Sequence, residues 1–135
     1  MGRLDDRVAI VTGGGRGIGQ ATSLRLAADG ASVVVNDIDD APANETVALI
    51  EAAGGKAIAC VANTVEMAQA ERLVQAAVDA YGKIDIIVNN AGVTRDKMFH
   101  GLDDAQFDFV FDANLKTGFH TTLAAMPYLR EVAKK

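Results

Sequence analysis

Val8-Ala9-Ile10-Val11 is a continuous apolar run that gives way to Thr12-Gly13-Gly14-Gly15-Arg16-Gly17-Ile18-Gly19 and then to helix-forming residues. No other stretch of the chain leaves so few structural options. Four apolar residues without polar alternation fit a strand buried on both faces of a parallel sheet. Gly13, Gly17 and Gly19 can adopt positive φ and carry no Cβ, so the backbone can be approached closely and a helix can pack tightly on its strand. A helix starting at about Arg16 or Gly17 aims its unpaired N–H groups and partial positive charge at the same point, which suits a pyrophosphate. The spacing is G-x-x-x-G-x-G and not the commoner G-x-G-x-x-G. Such a cluster also occurs as a plain tight turn. Here a strand precedes it, a helix follows, and Asp37 closes the next apolar run, Val33-Val34-Val35, about 20 residues on.

The rest of the chain repeats this alternation. Ile18, Ala21, Leu24 and Ala28 mark one face of the first helix, which should end at Asp29-Gly30. Ser32 to Asp37 reads as a second strand. Asp39 to Pro42 starts a second helix whose stripe is Val47, Ile50 and Ala53, ending at Gly54-Gly55. Ala57 to Val61 is a third strand. A third helix over Val65 to Tyr81 carries Leu73, Ala77 and Tyr81 on a helical period and stops at Gly82, before a fourth strand over Ile84 to Val88. Strands alternating with helices require parallel pairing through right-handed crossovers, hence an α/β doubly wound parallel sheet, with residues 1–135 as one domain. After Asn89-Asn90-Ala91-Gly92 and a loop from Val93 to Leu102 comes a long helix capped by Asp103 or Asp104. Phe107, Val110, Phe111, Asn114, Gly118 and Thr122 lie along one side of it. Pro127 should kink that helix or end it early.

Composition narrows the function classes. A net charge of −5 argues against nucleic acid as a partner. No apolar run approaches the ~20 residues of a membrane span, so no membrane partner and a cytoplasmic location are the expectations. Cys60 is the only cysteine, which excludes an intrachain disulfide, and its apolar neighbours make it a buried inert thiol. His100 and His120 lack a paired acid or cysteine at helical spacing and read as surface or capping residues, so no metal is expected. Phe107 and Phe111 read as core, Met98 and Met126 as packing, and Asp37, Asp39 and Asp40 contain a solvated acidic run.

Thr12-Gly13-x-x-x-Gly17-x-Gly19, Asn89-Asn90-Ala91-Gly92 and Asn114 in a long fourth helix, in this order and at these separations, together resemble the short-chain dehydrogenase/reductase family. The likeness spans the whole chain and implies a Rossmann sheet. Val93-Thr94-Arg95-Asp96 after the second motif is similar to the 3-oxoacyl-(acyl-carrier-protein) reductases and 3-hydroxyacyl-CoA dehydrogenases within it. The resemblance implies NAD(P)-dependent hydride transfer between a hydroxyl and an oxo group of a small-molecule substrate, in a homo-oligomer.

It also implies residue roles. Gly13, Gly17 and Gly19 would border the cofactor pyrophosphate, with Ile18 supplying a backbone amide and covering it. Asp37 would accept hydrogen bonds from the adenosine ribose hydroxyls and repel a 2′-phosphate, favouring NAD over NADP. Arg16 pulls the other way, since it stands where NADP-preferring relatives carry a phosphate-pairing base. Neither Arg nor Lys occurs from Asn36 to Ala43 to support it, so Asp37 is weighted more heavily. Asn63-Thr64 replaces the family's usual Asp-Val near the adenine, and Asn63 can still accept a hydrogen bond from an adenine amino group. Asn90, Ala91 and Gly92 would line the nicotinamide-ribose side. Asn114 would hold a proton-relay arrangement, or act as a buried asparagine that fixes its helix.

The family's catalytic Ser and Tyr-x-x-x-Lys are not in these residues. Tyr81 is followed four positions on by Asp85 and Tyr128 by Val132, and the serines are Ser23 and Ser32, both far upstream. The expectation is a sheet truncated after the fourth strand and fourth helix, inactive alone, with the fourth strand left as an apolar edge and the chain self-associating through that strand and the long helix. A non-catalytic dinucleotide-binding or assembly module is the alternative.

Overall fold

The computed structural model describes residues 2–92 and 99–135. The loop residues Val93 to Asp96 and Met98 lie outside the described residues. β1 (Val8–Val11), β2 (Ser32–Asp37), β3 (Lys56–Val61) and β4 (Ile86–Val88) form one parallel sheet in the order β3-β2-β1-β4. The order reverses at β1, so the glycine-rich turn after β1 opens at the point where crossovers leave to opposite faces, the usual ligand crevice of an open α/β sheet. α1 (Gly17–Ala28) and α2 (Asp40–Ala52) cover one face, and α3 (Met67–Tyr81) covers the other with α5 (Thr117–Ala133).

Period-two alternation divides the strand side chains between two cores. Ile10 and Val34 join Leu73, Val74, Ala77 and Ala125 on the α3/α5 side, while Val11, Val33 and Val35 join Ala43 and Ile50 on the α1/α2 side. Cys60 is buried in the first cluster, and burial pushes its thiol pKa up against the opposing pull of Arg72. Gly30, Gly54 and Gly82 follow the first three helices with positive φ, at the stops expected from the sequence.

Several helix faces differ from the sequence reading. Ile18, Ala21 and Ala28 are exposed, because α1 approaches the sheet through the small residues Gly19 and Ser23. α2 buries Ala43, Thr46 and Ile50, whereas Ala53 is its exposed C-cap. α3 starts at Met67, two positions later than expected, and buries Leu73 and Ala77. β4 is limited to Ile86–Val88 and, among the described residues, pairs only with β1; Ile84 is fully buried just before it.

The long fourth helix is three pieces. α4 (Asp104–Phe111) begins with a capping box in which Asp103 accepts from Gln106 N at 2.7 Å and Gln106 Oε1 accepts from Asp103 N. A π-helical segment over Asp112–Lys116 follows, then α5. Pro127 neither ends nor shortens α5, which runs on to Ala133. Pro127 lies on the exposed side, where solvent can take up the carbonyl freed by its missing N–H. Phe107 and Phe111 are not core but 63% and 48% exposed, and their rings stack on each other at 6.1 Å. Among the described residues no helix is long and apolar enough to cross a membrane.

Asp85 ties the lower ends of β1 and β4 together. Its carboxylate, 3% exposed, accepts from Val8 N at 2.8 Å and from Arg7, and pairs with Lys83. Burial alone would raise its pKa, but the Val8, Arg7 and Lys83 contacts together hold it below the ordinary 3.8. A carboxyl with a lowered folded pKa contributes stability that is present above its ordinary pKa and lost as pH falls through the folded value. Asp85→Ala is therefore expected to destabilise by about 1–3 kcal/mol at pH 7. The gap between the urea midpoints of wild type and variant should narrow below pH 3.8; an equal gap at pH 7 and pH 3 would contradict this.

Candidate dinucleotide site

A cavity of about 450 Å³ opens at the carboxyl ends of the strands. Gly13, Arg16, Ile18, Asp37, Asn63, Thr64, Asn90, Ala91 and Gly92 line it, so most of the residues singled out from the sequence meet in one place. Asn36, Ile38, Ala62, Val65, Ala113 and Thr117 complete the wall.

The glycine-rich turn is fixed from below and from the side. Gly13 and Gly17 have φ of +62° and +56°, the left-handed region in which an L side chain is strained. Gly19 does not share that conformation. Its constraint is space: a Cβ there would overlap the Gly13 carbonyl oxygen and lie 2.6 Å from Asn90 Nδ2. Asn90 donates through Nδ2 to the Thr12 and Gly13 carbonyls at 3.2 and 3.1 Å, and the Thr12 hydroxyl accepts from the Asn90 and Ala91 amides. The first motif and the end of β4 are thus one hydrogen-bonded unit. Among the described residues no side chain caps α1, so the first-turn amides are open to solvent or a ligand. Ile18, 79% exposed, stands over that helix start as an apolar cover.

Asp37 is 4% exposed at the end of β2. It accepts from Gly15 N at 3.3 Å, from Asp39 N at 3.2 Å and from Arg16 at 3.1 Å. Arg16 also pairs with Asp39, and hydrogen bonding to Asp37 first and Asp39 second holds the guanidinium pKa above its ordinary value. The acidic run is therefore not all solvated loop, since Asp39 is bound into the site's edge.

Asn36 is the residue that the sequence reading missed. It is 2% exposed, and its Nδ2 donates to the Cys60 and Ala62 carbonyls at 3.0 and 3.1 Å while its own carbonyl accepts from Gly14 N at 2.7 Å. The residue thereby joins the glycine turn, through its backbone carbonyl, to the exit of β3, through its side chain. Its signal was a lone amide in an otherwise apolar strand, which must find buried partners. Beyond β3, Asn63 Oδ1 accepts from Val65 N at 3.2 Å in a local turn, and Thr64 is buried. The Asn63 side chain remains at the cavity wall with a second lone pair.

Gly17, Gly19 and Asn114 are not on the cavity wall itself. Asn114 lies in the π segment between the lining residues Ala113 and Thr117, and its Nδ2 donates to the Val110 carbonyl at 2.8 Å. It is exposed, so the reading of a buried asparagine is replaced by one that clasps its own helix, with Oδ1 against Gly92, where a Cβ would overlap it. His100 is exposed, and His120 is half-buried with Nδ1 unpartnered, its ring beside Phe119. Among the described residues no group of three His, Cys, Asp or Glu side chains could hold a metal ion.

These features together, glycines where a side chain would intrude, an uncapped helix start and a buried carboxylate 22 residues beyond the Gly15 amide it binds, fit a bound phosphorylated ribonucleotide. The sequence model for the short chain dehydrogenase family matches residues 7–135. The peroxisomal hydratase-dehydrogenase-epimerase of Neurospora crassa is 45% identical over 122 residues, covering 90% of this chain and 13% of that protein. The 3-oxoacyl-(acyl-carrier-protein) reductase FabG of Thermotoga maritima is 37% identical over 127 residues, covering 94% of this chain and 52% of that one. Among solved structures, a short chain dehydrogenase from Mycobacterium avium superposes with a TM-score of 0.93 at 43% identity, covering 98% of this chain and 49% of that chain. The chain thus spans about half the length of these relatives or less. It belongs to the short-chain dehydrogenase/reductase family of oxidoreductases, with a four-stranded parallel Rossmann sheet.

Proposed function

We propose that this chain is the cofactor-holding part of an NAD(P)-dependent oxidoreductase that interconverts a hydroxyl and an oxo group, with NAD preferred. The observation that carries the preference is Asp37, a carboxylate buried at the mouth of the cavity and bonded to the glycine turn. A ribose diol can donate to such a group. A 2′-phosphate meets like charge there at short range, which is costly in a semi-buried pocket.

In this reading Gly13, Gly17 and Gly19 give a pyrophosphate room to approach, and the Ile18 amide and its neighbours at the start of α1 donate to it. Ile18 excludes water from above. Asn63 and Thr64 border the adenine, and Asn90, Ala91 and Gly92 the nicotinamide ribose. When bound, a nicotinamide supplies or accepts the hydride. Asn114, braced on Val110, holds the relay position beside Gly92. Proton transfer to the substrate oxygen needs an acid/base, and the tyrosine–lysine pair that the family resemblance implies is not among these 135 residues, since neither tyrosine is followed by lysine four positions later. The name of the Thermotoga relative supports a 3-oxoacyl thioester as the substrate class.

Fluorescence titration with NADH and NADPH tests the reading. NADH is expected to bind about tenfold or more tightly than NADPH, without turnover of alcohols or ketones by the 135-residue chain. Tighter NADPH binding would give the specificity to Arg16, and turnover would refute the inactivity. The alternative reading is a non-catalytic dinucleotide-binding or assembly module. NADH binding that persists in the whole gene product without any dehydrogenase activity would decide for it.

A further inference from the structure

Asp39 occupies the N-cap position of α2, where an aspartate ordinarily accepts from the helix amides, yet its side chain makes no cap hydrogen bond. The carboxylate turns instead to Arg16, pairing with the same Nη2 that Asp37 holds. The Asp37 carboxylate accepts the Asp39 amide at 3.2 Å, so the segment 37–39 folds around the guanidinium. Among the described residues lining the cavity, Arg16 is the sole lysine or arginine. Two carboxylates against one guanidinium leave the site's edge with a net charge of about −1.

We propose that Asp39 is a specificity-determining residue: by holding Arg16 it withholds the cavity's cation from a 2′-phosphate, so that discrimination against NADP rests on a pair of acids. Asp37 is one member, contacting the nucleotide directly. Asp39 is the other, acting through Arg16. This rests on the dinucleotide reading of the cavity. It explains how an arginine suited to phosphate can stand beside Asp37 without conferring NADP preference. Nη2 of the guanidinium is shared by both carboxylates, and a 2′-phosphate arriving near it meets negative charge already in place. The Arg16 and Asp39 side chains are 58% and 59% exposed, so the hold is reversible and removing one charge is enough to loosen it.

Asp39→Asn in the full 135-residue chain tests this, with Kd measured calorimetrically for NADH, NADPH, 5′-ADP and 2′,5′-ADP. NADPH and 2′,5′-ADP are expected to bind about tenfold more tightly than to wild type, and NADH and 5′-ADP to stay within about twofold. Asp39→Asn combined with Arg16→Ala should abolish the gain. An unchanged NADPH/NADH ratio would overturn the proposal, as would a gain that survives loss of Arg16. Equal weakening of all four ligands would also overturn it, by making Asp39 a merely structural residue. Failure of the wild-type chain to bind NADH or 5′-ADP would overturn the dinucleotide reading itself, and the proposal with it.

Discussion

Gly19→Val is expected to abolish NADH binding and to destabilise the chain by about 3 kcal/mol. The Cβ alone would overlap the Gly13 carbonyl and crowd the Gly13 carbonyl carbon at 2.8 Å and Asn90 Nδ2 at 2.6 Å. None of these neighbours can yield cheaply. The Gly13 carbonyl is backbone in a left-handed turn, and Asn90 Nδ2 is held between the Thr12 and Gly13 carbonyls. Relief would mean lifting α1 off the end of β1, which breaks the Ser23 hydroxyl contact to the Gly14 carbonyl and moves the first-turn amides. Gly17→Ala is a graded comparison. Its Cβ meets nothing within 4 Å, so the cost there is the left-handed φ alone, about 1–2 kcal/mol. Urea denaturation combined with NADH titration should rank the two in that order. A Gly19 variant that binds like wild type would refute the packing argument.

The second large effect concerns the outer side of α4 and α5. Phe107, Leu115, Phe119 and Leu123 are each at least 50% exposed, with Phe111 and Met126 close behind. An apolar strip of this length is unusual on a monomer. The chain is expected to self-associate through a second copy of the same strip at micromolar concentration. Leu115→Glu with Phe119→Glu should return it to a monomer while leaving the fold intact, because neither side chain belongs to a core cluster. Sedimentation velocity reads this directly, and a wild-type monomer at high concentration would sink the idea. Association that persists in the double variant would assign the contact to the edge of β4, which pairs only with β1.

The strands and the first three helices are legible in the sequence because apolar runs and glycine stops bound them, and the parallel pairing follows from the βα alternation. What each helix buries is less legible. A search for apolar side chains at helical spacing chose Ile18, Ala21, Leu24 and Ala28 on α1; Leu24 does pack on the core, but a helix drawn close to its sheet buries its smallest residues, here Gly19 and Ser23. The phenylalanines at 107 and 111 show the complementary difficulty, since periodicity reveals a stripe and not whether anything stands opposite it. In the site, Asp37 and the glycines are read from spacing alone. Asn36 and Asp39 are not, because their partners lie more than 20 residues away and only the closed turn brings them together.

The π segment bears on how the chain can vary. α5 is locked in rotation by Thr117, Thr121 and Ala125, which are buried, whereas α4 buries no residue. Phe107, Phe111, Leu115, Phe119 and Leu123 recur every fourth position, a spacing that drifts about 40° per step on a regular α-helix. A turn of i→i+5 bonds at Asp112–Lys116 takes up part of that drift. It acts as a phase adjuster, letting the outer strip stay aligned while Asn114 and Thr117 keep their own headings toward Gly92 and the cavity. Substitutions on α4 can therefore accumulate without turning the residues that face the cavity.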